Sequence, residues 1–308
     1  MSKSSRAALA ATALVGAAAL VTVMLAKRRA ASPTRTGTSV SGMEYIVVGD
    51  GPKTVLLIPG GPGSEISGGA MASMSASTIR PLSKEGYSVW VATRVRNMPH
   101  GHSVADMADD YAKFIRDVIG GPVDLIIGES FGGLVSFYLA ANHPEVAKRI
   151  VIAGAAAKIA PDIIDIDLRF AEHKAAGRHR EAAATLLEYV VEGPRFARLR
   201  QLLAPLVVRS MGRMHTSPGD FVVETAAEAR FDATDVLGRI DIPVLIISAE
   251  EDRFFPPEAV RATAAAIPRA THIEYSGIGH LRLFSDRRFT RDIVHWDAAT
   301  SAIGEPTD

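Results

Sequence analysis

The chain contains no cysteine. That excludes a thiol nucleophile, a disulfide framework and thiolate zinc sites. It has no excess of either charge sign, since 34 Lys and Arg balance 34 Asp and Glu. Nothing electrostatic therefore draws it to a nucleic-acid partner. Neither GxGxxG nor GxxxxGK followed by Ser or Thr occurs, so no phosphate-cradling loop of those kinds is expected. No internal repeat is visible, and no acidic residue precedes Glu44.

What is present is length and apolar content. The 308 residues are 47% apolar, enough to bury one α/β core of about 250 residues carrying an inserted lid. The first forty residues differ in character. Lys3 and Arg6 precede an uncharged stretch from Ala7 to Ala26, closed by Lys27, Arg28 and Arg29. About 20 such residues can span a bilayer as a helix. The run is alanine-rich, so insertion would be marginal. An uncleaved anchor competes with a cleaved signal peptide and an organelle transit sequence. Basic residues just beyond the run disfavour cleavage, and the absence of arginine within it disfavours transit. The expectation is a single-pass N-terminal membrane anchor, its orientation left open by positive charge at both ends. Ala31 to Gly42, rich in Ser, Thr, Pro and Gly, reads as a tether, so residues 1–42 stand apart from a domain of residues 43–308.

From residue 43 onward, short apolar runs alternate with helical patterns. Thr54–Ile58, Ser88–Ala92, Val123–Ile127, Ile150–Ala153, Val244–Ser248 and Thr271–Tyr275 are the strand candidates. The first five are almost continuously apolar, as parallel strands covered on both faces should be. Met43–Val48 adds an antiparallel strand. With helical patterns such as 105–119 and 132–142 between them, the rhythm predicts a mostly parallel, doubly wound α/β sheet. Residues 162–235 break it: they hold no strand pattern, and Gly177, Gly193–Pro194 and Ser217–Pro218–Gly219 divide them into about four short helices. This segment reads as an all-helical lid. Ile163, Ile164, Ile166, Leu168, Phe170, Leu186, Leu187, Val190 and Val191 would give it an apolar roof over the sheet's C-terminal edge. Packing of the insertion against itself is the alternative.

Four motifs carry chemistry. Gly128-Glu129-Ser130-Phe131-Gly132 follows the run VDLII and opens a helix. A serine hydroxyl attacks only when it is held exposed beside a base, and a tight strand-to-helix turn flanked by glycines provides the exposure. Pro59-Gly60-Gly61-Pro62-Gly63-Ser64 follows TVLLI and suits an oxyanion loop. Pro59 and Pro62 cannot donate, so Gly61 is the candidate there, paired with the Phe131 N–H. Ala249-Glu250-Glu251-Asp252-Arg253 follows VLIIS. Asp252 is favoured as the acid that orients the base, because it sits a few residues past the strand end, just before Phe254-Phe255-Pro256-Pro257, where a helix begins. Gly277-Ile278-Gly279-His280 follows the last strand and completes the order Ser, Asp, His. Of the other histidines, His100 and His102 could line the pocket but lack a third metal ligand, and His143 reads as structural.

Taken together, LLIPGGPG, IIGESFGG, SAEEDRFFPP and GIGH resemble the α/β-hydrolase superfamily from residue 43 to about 300. The resemblance implies an eight-stranded, mostly parallel sheet, a Ser130–His280–Asp252 triad, oxyanion donors from Gly61 and Phe131, and no cofactor. Two positions depart from the family pattern. Pro59 stands where His usually precedes the first glycine, and the usual Asp-x-Arg-Gly-x-Gly-x-Ser after the fourth strand is replaced by Thr93-Arg94-Val95-Arg96-Asn97-Met98-Pro99-His100-Gly101-His102-Ser103. The expected activity is hydrolysis of a small carboxylic ester or similar acyl substrate, apolar in character. An aminopeptidase, an acyltransferase or a C–C hydrolase would use the same triad, and a non-catalytic binding protein is the reading from another class.

Overall fold

The computed structural model describes residues 35–61, 80–211 and 217–304. Eight strands form one sheet: β1 (Arg35–Thr38), β2 (Glu44–Val48), β3 (Lys53–Ile58), β4 (Tyr87–Ala92), β5 (Leu125–Glu129), β6 (Ile150–Ala153), β7 (Val244–Ala249) and β8 (Ala270–Tyr275). Their order is β1-β2-β4-β3-β5-β6-β7-β8. The β1–β2 and β2–β4 pairs are antiparallel and the rest are parallel. Alternation along each strand divides the core in two. Leu56, Ile58, Ile126, Ile152 and Ile246 enter one apolar cluster, while Val55, Leu57, Ile127, Val151 and Leu245 enter the other.

Helices cover both faces. They are α1 (Val104–Phe114), α2 (Phe131–Asn142), α3 (Pro161–Ala175), α4 (His179–Leu186), α5 (Ala197–Met211), α6 (Pro218–Ala229), α7 (Pro257–Ala266), the single turn α8 (His280–Leu283) and α9 (Arg287–Gly304). Ser103 and Asp106 form a reciprocal capping box that starts α1. Helices α1, α2 and α7 pack on the first face through Tyr111, Leu134, Phe137 and Val260, and α9 packs on the second through Phe289 and Ile293.

Helices α3 to α6 lie between β6 and β7, where the sequence predicts a helical insertion. The apolar residues assigned to its roof divide between two tasks. Ile163 and Ile166 join the main core, whereas Phe170 packs on Phe221 and Ala182, and Leu187 on Ala183, Ala204 and Val207. Leu168 faces outward, 42% exposed.

Two expectations about the N-terminal region are corrected. The sheet begins at Arg35, inside the presumed tether, because Arg35–Thr38 pairs antiparallel with Val47–Glu44. This strand lacks apolar residues and is largely exposed at the sheet edge, so no periodicity announces it. The single-pass anchor, and with it a membrane localisation, does not stand. No helix among the described residues is long and apolar enough to cross a membrane. Ala7 to Ala26 itself lies outside those residues, and an alanine-dominated run carries little driving force for insertion.

The sheet's N-terminal edge is tied to α9 by one wholly buried carboxylate. Asp297 accepts from Lys53 Nζ at 2.9 Å, Tyr87 Oη at 2.6 Å and Arg149 Nε at 2.7 Å. Burial opposes its ionisation, but Tyr87, Lys53 and Arg149 prevail and hold its carboxyl below the ordinary range. A depressed folded-state value means that the stabilisation is present above the unfolded value and is lost as pH falls through the folded one. Asp297→Ala strands the buried Arg149 cation and should cost about 3–5 kcal/mol in urea unfolding at pH 7. A loss under about 1 kcal/mol would show that this cluster does not secure α9.

Candidate active site

The five sequence-selected residues all fall at C-terminal ends of parallel strands: Gly61 after β3, Ser130 and Phe131 after β5, Asp252 after β7 and His280 after β8. Between β3 and β5 the strand order reverses direction, since β4 lies on one side of β3 and β5 on the other. Such a switch point opens a crevice in which open α/β sheets place ligands.

The turn from β5 into α2 is set by close packing. A Cβ on Gly132 would lie 2.0 Å from Ile58 O, and one on Gly128 would lie 2.4 Å from Gly132 O. Only glycine allows α2 to begin so near the sheet. Between these contacts Ser130 adopts φ 51° and ψ −115°, a strained conformation for a residue with a side chain. Such strain costs roughly 1–3 kcal/mol and is maintained by the surroundings. Here Ser130 N donates to Ala153 O at 2.8 Å and Ser130 O accepts from Gly133 N at 2.7 Å.

His280 Nε2 lies 2.9 Å from Ser130 Oγ, and its Nδ1 lies 2.7 Å from Asp252 Oδ2. A carboxylate can only accept, so it selects the tautomer with the proton on Nδ1 and leaves Nε2 to take the serine proton. Asp252 is itself fixed by the Phe254 and Phe255 N–H groups, which donate to Oδ1 at 2.8 and 3.1 Å. The imidazole is 6% exposed, stacked on Phe254 at 4.3 Å and met edge-on by Phe284 at 5.5 Å. Of the competing acids, the Glu250 carboxylate accepts from Gly277 N at 2.9 Å, and Glu251 is exposed, with its backbone N–H donating to Ile278 O at 2.9 Å. Both bonds close the two loops onto each other.

On the oxyanion side, Phe131 is the first residue of α2, where an N–H has no acceptor within the helix. Gly61 has φ 69°, a value that favours glycine. A Cβ on the preceding Gly60 would lie 2.9 Å from Ser130 Cβ, so the loop backbone abuts the serine. The remainder of the loop, from Pro62 onward, lies outside the described residues. Among the described residues, no three His, Asp or Glu side chains converge as metal ligands would. His102 bonds Asp110 at 2.9 Å, His100 is exposed, and His143 bonds Asp109 at 2.6 Å.

Sequence reasoning missed two sets of charged residues near the crevice. Arg94, 2% exposed, reaches the oxyanion loop and pairs with Glu224 of α6. Asp167 of α3 and Glu228 of α6 are buried and repel each other. Tyr189 donates to Asp167 Oδ1, and its ring packs 4.7 Å from Phe254, the ring on which His280 stacks. The one signal available was the departure from the family pattern just past a buried strand, at Thr93-Arg94-Val95-Arg96.

Comparison with known proteins agrees with this architecture. A sequence description of the alpha/beta hydrolase fold matches residues 53–286. Over 168 residues the chain is 27% identical to the pimeloyl-(acyl-carrier protein) methyl ester esterase of Neisseria meningitidis serogroup A, covering 51% of this chain and 52% of that protein. It thus spans about half of that relative's length. An esterase from Thermogutta terrifontis superposes with a TM-score of 0.63 at 22% identity, covering 89% of this chain and 99% of that one. For the enol-lactonase from Burkholderia xenovorans LB400 the TM-score is 0.62 at 19% identity, with 90% and 100% covered. At such identities the two structures speak for the fold.

The buried acids generate a pH-dependent expectation. Burial pushes the Asp167 carboxyl up to about 6, against the hydrogen bond from Tyr189 and the field of His280. The folded chain then retains a proton that the unfolded chain releases, so this group costs stability as pH rises from about 4 to about 6, and the whole cost is present above that. Asp167→Asn should therefore raise the melting temperature at pH 7.5 and leave it almost unchanged at pH 4. A variant that melts lower at pH 7.5 would contradict the assignment.

Proposed function

This chain belongs to the alpha/beta hydrolase fold family, and we propose that it hydrolyses carboxylic esters through a covalent acyl-enzyme on Ser130. One observation carries this reading: His280 bridges Ser130 Oγ at 2.9 Å and Asp252 at 2.7 Å, at the tip of a strained turn. In the first half-reaction Ser130 Oγ attacks the ester carbonyl while His280 Nε2 takes its proton. The Gly61 and Phe131 N–H groups stabilise the oxyanion. Collapse of the tetrahedral intermediate expels the alcohol, which receives the proton from His280. Water then repeats the sequence against the acyl-enzyme, releasing the acid and restoring Ser130. Asp252 remains ionised and stabilises the imidazolium each time.

The meningococcal relative acts on a methyl ester, which supports an ester over an amide as the substrate class. In this reading residues 43–308, extended by β1, form the hydrolase unit, and the insertion 162–235 is its lid. The aromatic surroundings of His280, formed by Phe254, Phe255 and Phe284 with Tyr189 behind Phe254, suit a small, apolar acyl group.

The test is hydrolysis of p-nitrophenyl esters of graded chain length. Ser130→Ala should lower kcat by at least about a thousandfold with the fold intact by circular dichroism. Asp252→Asn should lose on the order of ten-thousandfold, because its amide leaves His280 in the wrong tautomer. Glu250→Gln and Glu251→Gln should stay within about tenfold of the native rate. A folded Ser130→Ala protein with native turnover would refute the proposal, and a crippling Glu251→Gln would reassign the acid.

A further inference from the structure

Arg94 lies two residues past the end of β4 and is 2% exposed, in a crevice where burying a cation is costly. Each of its three guanidinium nitrogens has an acceptor. Nε donates to Glu224 Oε1 at 2.8 Å, one terminal nitrogen donates to Pro59 O at 3.0 Å, and the other donates to Gly61 O. The guanidinium carbon lies 4.8 Å from the centre of the Phe131 ring. Its own backbone is held as well: the Thr93 hydroxyl accepts from Glu44 N at 3.0 Å and donates to Arg94 O at 3.1 Å. Burial works against the charged form, yet Glu224, Tyr111 and Glu228 more than offset this, so the group stays a cation at any accessible pH.

The two carbonyls that Arg94 holds are those of Pro59 and Gly61, which bracket the Gly60–Gly61 peptide. The N–H of that peptide is the proposed oxyanion donor. A Gly-Gly segment has the widest backbone freedom of any dipeptide, and nothing in its own side chains can aim its N–H. Fixing the carbonyl on each side removes the rotation that would turn the donor away. The cation over Phe131 places a second constraint on the residue that supplies the other donor. Glu224 belongs to α6, so the same pair connects the loop to the helical insertion. Stability alone does not account for this arrangement, because a buried ion pair is often no better than well-packed apolar residues of the same volume.

We propose that Arg94 is the positioning residue of the oxyanion hole, aiming the Gly61 N–H through the Pro59 and Gly61 carbonyls and coupling that aim to the insertion through Glu224. This rests on the ester-hydrolase reading above, in which Gly61 and Phe131 are the donors. Losing one donor of an oxyanion hole outright costs on the order of a hundredfold to a thousandfold in kcat. A misaimed donor should cost less.

The experiment compares Arg94→Lys, Glu224→Gln and the double variant Arg94→Met/Glu224→Gln with the native chain. The double variant leaves no unpaired buried charge, so it guards against failure of Arg94→Lys to fold. For each, active sites are counted with a fluorophosphonate probe, and kcat and KM are measured on a p-nitrophenyl ester. The inhibition constant of a trifluoromethyl ketone, which forms the tetrahedral adduct, is measured alongside. We expect kcat per active site to fall about tenfold to a hundredfold in Arg94→Lys and in the double variant, with KM within about twofold. Trifluoromethyl ketone affinity should fall by the same factor, and Glu224→Gln should show a smaller loss of the same kind. A merely structural role would lower the melting temperature while leaving kcat per active site and ketone affinity unchanged, and that result would overturn the proposal. If the native chain itself is not labelled at Ser130, the ester-hydrolase reading falls and this proposal falls with it.

Discussion

The contact between Gly132 and the Ile58 carbonyl sets how close helix α2 comes to the sheet, and most of the site depends on that distance. A methyl group there would approach to 2.0 Å, so the helix would have to withdraw or the strand to bend. Because α2 begins this close, the chain must reverse within a single residue. That residue is Ser130, held at a positive φ that its side chain makes unfavourable. The same closeness places the start of α2 beside the loop after β3, so that Gly60 backbone and Ser130 Cβ are nearly in contact. The proposed nucleophile and oxyanion loop are thus arranged by one steric constraint, before any side-chain hydrogen bond of the site is considered.

Charge is distributed around that constraint in three buried groups with different purposes. At the N-terminal edge of the sheet, Asp297 gathers Lys53, Tyr87 and Arg149 and secures the last long helix. At the opposite edge, Asp252 orients His280, using backbone N–H groups to satisfy its second oxygen. Between the sheet and the insertion, Arg94 meets Glu224. The first is a structural anchor remote from the crevice, and the other two meet within it. For Asp167 and Glu228 burial outweighs the partners, Tyr189 and His280 for the first and Arg94 for the second, and raises both toward the protonated form.

Much of this was legible in the sequence because the physics is local. Continuous apolar runs identify strands buried on both faces, and β3 to β7 follow those runs closely. The five candidate site residues could be selected because each lies within a few positions of the end of an expected strand, and strand ends converge once the sheet is parallel. Asp252 was favoured over its two acidic neighbours by its place just before Phe254-Phe255-Pro256-Pro257, and in the structure the Phe254 and Phe255 amides meet its carboxylate. Strand β1 was missed because an exposed edge strand needs no apolar residue. The N-terminal run misled because twenty uncharged residues meet a length criterion that says little about the weak hydropathy of alanine. Arg94 and Glu224 are 130 positions apart, and only the tertiary fold pairs them. The division of the insertion's apolar residues between core and self-packing was equally hidden, since helical periodicity marks a buried face without naming what buries it.

The central claim is that turnover passes through an ester bond to Ser130, and trapping that bond tests it most directly. During steady-state hydrolysis of p-nitrophenyl acetate, rapid acid quenching followed by intact-mass measurement should reveal a fraction of the chain heavier by one acetyl group. Peptide mapping should place the group on the segment containing Ser130, with the amount trapped rising when deacylation is slowed at low pH. Turnover with no acetylated species under any quench condition, or acetyl found on another side chain and still there after Ser130→Ala, would contradict the account.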